Sequence, residues 1–153
     1  MDYINFDQIS QESVKVGGKP KARSIFVYEG FLLNPNYTMA EKMIYQVLDM
    51  YHNKGVGGCF PSQEQMCTQL GISKPTLIKT LKSMEEKGMI YVIKCKWKNS
   101  NIQAHNFYVI NEPDEKTGEF DSSALMGWKA RTPKKKALVY KDDTTGLWKY
   151  EWQ

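Results

Sequence analysis

Apolar residues recur at spacings of three and four in three consecutive segments of the chain, as they do in amphipathic helices. The first segment begins at Thr38, and Glu41 stands three residues later as the second member of a capping box. Its apolar stripe consists of Ala40, Met43, Ile44, Val47, Leu48 and Tyr51. The pattern therefore predicts a first helix that starts at Thr38 and is broken by the glycine-rich residues 53–58.

Two further helices are predicted with only a short turn between them. Ser62 and Gln65 form the capping pair of the second helix, and Gly71 fits the left-handed backbone position that ends it. Ser73 caps the third helix, and Pro75 falls in its first turn, where a missing N–H is not needed. The third helix is expected to run to Lys87 and to stop at Gly88.

The third helix has two chemically different sides when it is projected at about 100° per residue. Leu77, Leu81 and Met84 share the side predicted to face the core. The opposite side carries Pro75, Thr76, Lys79, Lys82 and Ser83. Lysine neutralises phosphates, and Thr and Ser hydroxyls hydrogen-bond base edges or phosphates, so this side suits a DNA groove. The candidate DNA contacts are Ser73, Lys74, Pro75, Thr76, Lys79, Lys82 and Ser83 of this helix, and Ser62 and Gln63 at the start of the second.

Segments rich in β-branched and aromatic residues predict strands. Residues 24–33 are expected to form a short strand that leads into a turn at Asn34–Asn36. Met89–Trp97 and Ile102–Ile110 predict a hairpin, and Ala137–Trp152 predicts a second one whose three aromatic residues, at 148, 150 and 152, share a side. The candidate DNA contacts of the first hairpin are Lys94, Lys96, Lys98, Asn99 and Asn101.

Charge is distributed unevenly along the 153 residues, although the formal net charge is only +4. Residues 73–98 contain seven lysines and two glutamates, and residues 111–123 contain five acidic residues and one lysine. A concentrated basic segment indicates a polyanionic partner more strongly than total charge does. On charge alone, a lysine-rich solvated helix face would be the simpler interpretation; the short turn and the following hairpin shift the balance toward DNA.

Several other classes of function have little support in the sequence. No apolar run is long enough for a membrane span, no secretory signal is evident, and a cytoplasmic location is expected. Cys59, Cys67 and Cys95 show no CxxC spacing and the two histidines fit no metal pattern, so neither a metal nor another cofactor is expected. The glycine-rich Gly55–Cys59 segment lacks the GK[ST] of a phosphate loop, and no catalytic set stands out, so the chain is predicted not to be an enzyme.

A family resemblance accompanies these patterns. Residues 66–90, MCTQLGISKPTLIKTLKSMEEKGMI, resemble the helix-turn-helix and following helix of winged-helix DNA-binding domains. With LNPNYTMAEKMIYQVLDMY before them and CFPSQEQM leading into them, they resemble plasmid and phage replication initiators and replisome organisers over about Phe26 to Ile110. Leu70–Ser73 matches the family turn, and Thr76 and Lys79 match groove-facing positions. Cys67 and Pro75 depart from the usual residues.

The resemblance implies an α+β fold, a winged helix-turn-helix with a three-helix core and a β-hairpin wing, to which a short C-terminal β-hairpin appendage is added. The expected organisation is a flexible basic N-terminal arm at 1–23, the DNA-binding domain at 24–111, a polar and charged linker at 112–136 and an aromatic hairpin at 137–153. The wing tip is then expected to touch the DNA backbone or the minor groove.

The function implied is sequence-specific binding of double-stranded DNA, in a replication initiator that binds origin repeats through the third helix and the wing. Such a protein would be encoded by a plasmid or phage in a bacterial cell and would recruit host replication proteins. A winged-helix transcriptional regulator and a protein-interaction module that has lost DNA binding are the alternatives. The aromatic hairpin could pack on the domain, pair across the axis of a homodimer or dock a partner protein.

Overall fold

The computed structural model describes residues 25–53, 61–98, 106–131, 137–141, 143–144 and 148–152. Their helices are α1 (Glu29–Leu32), α2 (Met39–Asn53), α3 (Gln63–Leu70), α4 (Lys74–Glu86) and α5 (Ser123–Arg131). Their strands are β1 (Ile90–Ile93), β2 (Cys95–Trp97), β3 (Phe107–Ile110), β4 (Ala137–Lys141) and β5 (Trp148–Trp152). The predicted arm at 1–23, the glycine-rich residues 54–58, and Asn99 and Asn101 lie outside the described residues.

The core is built where the apolar stripes of α2, α3 and α4 meet. Each helix repeats its apolar residues every three or four positions, so one side of each can be buried against the other two. This core includes Ile44, Tyr45 and Leu48 of α2, Met66 of α3, and Leu77, Leu81 and Met84 of α4, together with Met89 and Ile90 at the entry to β1. Among the helices of the described part, none is long and apolar enough to cross a membrane.

Helices and strands together make an α+β fold with two small sheets. In the first sheet β1 and β3 run antiparallel, with Ile90 opposite Ile110 and Ile93 opposite Phe107. In the second sheet the strand order is β2-β4-β5. There, Cys95–Trp97 pair in parallel with β4, and β4 pairs antiparallel with β5.

The predicted first hairpin is confirmed where both of its strands are described, because Ile90–Ile93 pair with Phe107–Ile110. Cys95–Trp97 also pair with β4, which was not predicted, and residues 102–105 of the predicted second strand lie outside the described residues. The C-terminal hairpin forms as predicted, yet its description as an appendage is wrong, because β4 is hydrogen-bonded to β2. Parallel pairing with a strand about forty residues away cannot be read from local alternation, since it depends on tertiary packing.

The strand predicted at residues 24–33 is also wrong, because this segment contains the short helix α1 instead. Its amides close one helical turn, with Leu32 N–H on the Tyr28 carbonyl at 3.0 Å and Leu33 N–H on the Glu29 carbonyl at 3.0 Å. Phe31 is buried in this turn against the rings of Tyr37 and Tyr45. Burial of one aromatic residue on a helix-based core has overridden local β propensity.

The predicted linker at residues 112–136 is wrong over its first part, because Gly118 and Phe120 pack against Phe31 of the helical core. The ring of Phe120 lies 5.5 Å from that of Phe31, 5.4 Å from that of Tyr37 and 5.3 Å from that of Tyr45, centroid to centroid. Leu125, on α5, is buried. An aromatic cluster of this kind contributes beyond the area it buries, so this segment closes the core rather than bridging two domains.

Hydrogen bonds from residues 34–37 also hold this segment. Glu119 Oε1 accepts from the side-chain amides of Asn34 at 2.9 Å and Asn36 at 2.6 Å, and its other oxygen accepts from the Tyr37 hydroxyl at 3.0 Å. The approach is also close at backbone level. A Cβ on Gly118, whose φ is +73°, would lie 2.4 Å from the Cα of Phe31. The loop and α1 are consequently packed backbone against backbone.

Candidate nucleic-acid interface

Helix α3, which precedes the turn to α4, is capped at both of its ends. At the start of α3, Ser62 Oγ accepts from the Gln65 amide at 3.1 Å, and Gln65 Oε1 accepts from the Ser62 amide at 2.9 Å. At its end, Gly71 adopts φ 66° and ψ 34°, the left-handed conformation that glycine takes without a Cβ penalty. The predicted capping box and helix-ending glycine are both confirmed.

Ser73 caps α4 and also orients Thr76. Its Oγ accepts from the Thr76 amide at 3.4 Å and donates to Thr76 Oγ1 at 2.8 Å. Because Thr76 Oγ1 already accepts this bond, its own O–H is left to donate outward from the first turn of the helix. Pro75 occupies the same turn, as the sequence predicted, where its missing N–H breaks no intrahelical bond.

The outward side of α4 is exposed over its whole length. Pro75, Thr76, Lys79, Lys82 and Glu86 are exposed, whereas Leu77, Leu81 and Met84 are buried on the opposite side. Within the described part of the chain, neither Lys79 nor Lys82 has an ion-pair partner. Two ammonium groups, one turn apart, therefore project from the outward side together with the Thr76 hydroxyl.

Lys74 lies on the edge of this surface and already has a partner. Its Nζ is 2.8 Å from Glu64 Oε1 in the first turn of α3, and both side chains are exposed. The hydrogen bond and negative charge of Glu64 raise the pKa of Lys74. A phosphate at this position would have to compete with the Glu64 carboxylate, so Lys74 is a less available cation than Lys79 or Lys82.

The assignment of Ser83 to the outward side is wrong. Ser83 is half-buried, and its hydroxyl donates to Glu41 Oε2 of α2 at 2.9 Å. On a helical projection Ser83 lies about 40° from Lys79, so position on the helix alone does not distinguish it from the lysines; its contact with α2 does. The hydroxyl therefore joins two helices.

Glu41 is the centre of a buried polar network that fixes α4 on α2. Its Oε1 accepts from the Thr38 amide at 2.7 Å and from Lys87 Nζ at 2.7 Å, and its carboxylate is 1% exposed. Burial by itself would raise the pKa of Glu41, but the hydrogen bonds from Lys87, Thr38 and Ser83 outweigh it and leave that pKa lowered. The carboxylate thus stays ionised while it ties the ends of α2 and α4 together.

Sequence reasoning gave Glu41 only its capping role and missed its link to Lys87. A signal for it was present. Glu41 precedes Ile44, Tyr45 and Leu48 by three, four and seven positions, which places it within the buried stripe of α2. A carboxylate in such a stripe needs a partner, since an unpaired buried charge is strongly unfavourable.

The lysines predicted for the hairpin have different environments. Lys94 is exposed at the break between β1 and β2, and Lys96 is half-buried on β2. Lys98 Nζ lies 3.1 Å from Glu151 Oε1 and 4.5 Å from the centre of the Tyr140 ring. The structure thus brings Lys98 to the C-terminal hairpin, while Lys79 and Lys82 remain together on α4.

Comparison with known proteins agrees with the geometry of the three helices. Residues 38–90 match the model of a family described as a helix-turn-helix domain. Searches of curated proteins and of solved structures gave no match. The matched range starts at the residue that caps α2 and ends at the first residue of β1, so it includes the turn at Gly71 and all of α4. Residues 38–90 of this chain are thus similar to a helix-turn-helix domain, in sequence and in the arrangement of their helices.

Proposed function

We propose that this protein binds double-stranded DNA sequence-specifically, with the outward side of α4 lying in a groove of the duplex. The observation that carries the proposal is the exposed set of Thr76, Lys79 and Lys82 on the second helix of a helix-turn-helix domain. An α-helix with its side chains is about 10–12 Å across, and the major groove of B-DNA is about 12 Å wide. A helix presented in this way can reach base edges.

The three exposed side chains have different roles in this proposal. Lys79 and Lys82 neutralise phosphates on either side of the groove, which supplies affinity without reading sequence. The Thr76 hydroxyl, already accepting from Ser73, donates to a base acceptor or a phosphate oxygen. The amino terminus of this 13-residue helix adds a partial positive charge that favours a nearby phosphate.

The biological role proposed is initiation of replication on a plasmid or phage, with binding to origin repeats and recruitment of host replication proteins. The resemblance of residues 33–51 and 59–90 to replication initiators and replisome organisers supports this role. Transcriptional regulators use the same kind of domain, so a regulator remains the alternative. The two are separated by their targets, because an initiator occupies repeated sites at an origin and a regulator occupies a palindrome in a promoter.

The DNA-binding proposal is tested by the salt dependence of binding to a random-sequence duplex. Lys79→Ala and Lys82→Ala should each reduce the slope of log K against log salt by about 0.9, since each removes one phosphate contact. Lys116→Ala is the matched control, because Lys116 is exposed in the acidic loop, away from α4. Absence of salt-dependent affinity in the wild type, or equal slopes in all four proteins, would contradict the proposal.

Sequence reading is tested separately with duplexes selected from a random library. Thr76→Ala should reduce discrimination at one base-pair position by about 1–3 kcal/mol while leaving the salt slope unchanged, if Thr76 contacts a base. Footprinting on DNA from the protein's own replicon then decides between origin repeats and a promoter palindrome. A selection that yields no preferred sequence would reject the sequence-specific part of the proposal.

A further inference from the structure

Strand β5 lies at one edge of the second sheet, where the order is β2-β4-β5. One side of β5 pairs with β4, from Ala137 opposite Trp152 to Lys141 opposite Trp148. The other edge of this sheet is β2, which lies close to the first sheet, because Cys95 of β2 clusters with Ile93 of β1, and Phe107 and Val109 of β3 pack against that cluster. Within the part of the chain that the structure describes, β5 is therefore the edge available for a further strand.

The sequence of β5 carries only part of the usual protection of an edge strand, because its two charges are of opposite sign. Natural sheets guard their edges with proline, bulges or several charges, because unpaired N–H and C=O groups recruit other strands. β5 reads Trp-Lys-Tyr-Glu-Trp, without proline or glycine and with one charge of each sign. Aromatic residues at alternate positions are also favourable for strand pairing. Such an edge is suited to pairing with a strand of matching pattern.

β5 is chemically symmetric about Tyr150. When the strand is paired antiparallel with a second copy of itself and centred on Tyr150, position 149 lies opposite position 151 of the copy, and position 148 lies opposite position 152. A lysine is then opposite a glutamate twice, and a tryptophan is opposite a tryptophan twice. Opposite charges and aromatic pairs are the favourable cross-strand combinations, whereas like charges in these positions are destabilising.

We propose that two copies of this chain associate by antiparallel pairing of their β5 strands about a two-fold axis through Tyr150. The result is one continuous sheet with the order β2-β4-β5-β5-β4-β2 across the two copies. A two-fold interface uses the same surface on both copies, and the charge symmetry of β5 satisfies that requirement. The inference does not depend on DNA binding, since it concerns the protein alone.

The environment of Glu151 is compatible with this pairing. Its side chain is 41% exposed while Oε1 contacts Lys98 at 3.1 Å, so the carboxylate remains accessible at the sheet edge. A carboxylate has two oxygens and accepts several hydrogen bonds, so one group can serve Lys98 of its own chain and Lys149 of the second copy. The dimer then places each Glu151 between two ammonium groups.

The test is a charge swap followed by sedimentation-equilibrium ultracentrifugation in the absence of DNA. Lys149→Glu places two glutamates opposite each other in the homodimer, and Glu151→Lys places two lysines opposite each other. Because two cross-strand pairs change from attraction to repulsion, the dissociation constant of each variant's homodimer should be at least about tenfold higher than that of the wild type. Mixed in equal amounts, the two variants have opposite charges at every cross-strand position and should form a heterodimer with wild-type affinity.

Each result has a defined meaning. Weak homodimers with a restored heterodimer support the proposal. A monomeric wild type, single variants that dimerise as well as the wild type, or a mixture that remains monomeric would overturn it. Since Glu151→Lys also removes the ion pair to Lys98, the melting temperature of each variant is measured first.

A second measurement decides the matter if Glu151→Lys does not fold. Tyr150→Cys puts two thiols opposite each other on the axis, close enough for an intermolecular disulfide under mild oxidation. Asp143→Cys, in the exposed turn of the same hairpin, is the matched control. Covalent dimer from Tyr150→Cys at least about tenfold faster than from Asp143→Cys supports the proposal, and equal rates overturn it.

Discussion

The buried Glu41–Lys87 pair leads to a prediction about stability that depends on the carboxylate being charged. Glu41→Gln keeps the shape of the side chain but replaces one acceptor oxygen by an NH₂ group. Two donors converge on Oε1 and one on Oε2, from Thr38, Lys87 and Ser83. The amide of Gln has one acceptor oxygen, so it can accept only from the donors that face that atom and at least one hydrogen bond is lost. The ion pair with Lys87 becomes a contact between an ammonium group and an uncharged amide.

The size of the effect follows from this geometry. A hydrogen bond to a charged group contributes about 1.5–3 kcal/mol, and breaking a fully buried ion pair costs about 3–5 kcal/mol. Lys87 is 34% exposed and can be rehydrated, which reduces the loss. We therefore expect Glu41→Gln to lower the free energy of unfolding by about 2–3 kcal/mol at pH 7, which for a chain of this length lowers Tm by roughly 4–12 °C.

The assay is urea denaturation combined with calorimetry, with Glu86→Gln as the matched control. Glu86 is exposed at the end of α4, so the same chemical change there should alter stability by less than about 0.5 kcal/mol. If Glu41→Gln were no less stable than Glu86→Gln, the carboxylate would not hold α4 on α2 and the reasoning would be refuted.

The pH dependence provides an independent check of the same argument. The pKa of Glu41 is lowered in the folded state, so its contribution is fully present above the pKa of an unfolded glutamate, about 4.3. As pH falls from there through the lowered folded-state pKa, the contribution is lost. The stability difference between wild type and Glu41→Gln should therefore shrink below about pH 4.3. A difference that is unchanged at pH 3 would show that packing, and not charge, is responsible.

Three further predictions concern residues 38–90 and the segment that packs on them. Gly71→Ala should lower the free energy of unfolding in urea by about 1–2 kcal/mol, because φ is +66°, although no atom lies within 4 Å of the added Cβ. Gly71→Asn should lower it less, and equal losses in the two variants would reject backbone strain as the cause. Phe120→Ala should cost about 2–4 kcal/mol by calorimetry, and a loss below about 1 kcal/mol would mean that this ring does not close the core. Tyr45→Phe should cost about 1 kcal/mol, since the hydroxyl donates to the Asn111 carbonyl at 2.7 Å in a buried position, and wild-type stability would contradict this.

The parts of the fold that depend on neighbouring residues were predictable from sequence. Capping pairs at Thr38 and Ser62, the glycine at 71 and the serine cap at 73 each act within about four residues, and all four are present. The apolar stripes likewise identified the inner side of α4. For this reason the residues of the candidate surface on α4 could largely be identified from the sequence.

The parts that were missed depend on residues distant in sequence. Phe120 is a single aromatic in an acidic stretch, and only contact with Phe31 and Tyr37, more than eighty positions earlier, makes it a core residue. The same holds for Ser83, whose position on the helix is close to the outward side. Its hydroxyl is directed toward α2 because Glu41, 42 positions earlier, accepts its hydrogen bond. Local patterns contain no information about which distant partner a side chain will find.

The parallel ladder between β2 and β4 has a practical consequence for shortened versions of the protein. A polypeptide ended at residue 111 would keep every residue of the helix-turn-helix match, yet Cys95–Trp97 would lose the strand with which they are hydrogen-bonded. Phe120 and Leu125 would be removed with it, leaving apolar surface of the helical core open to water. Such a fragment would tend to aggregate through its newly exposed strand, so weak DNA binding by it would reflect damage to the fold rather than the properties of α4.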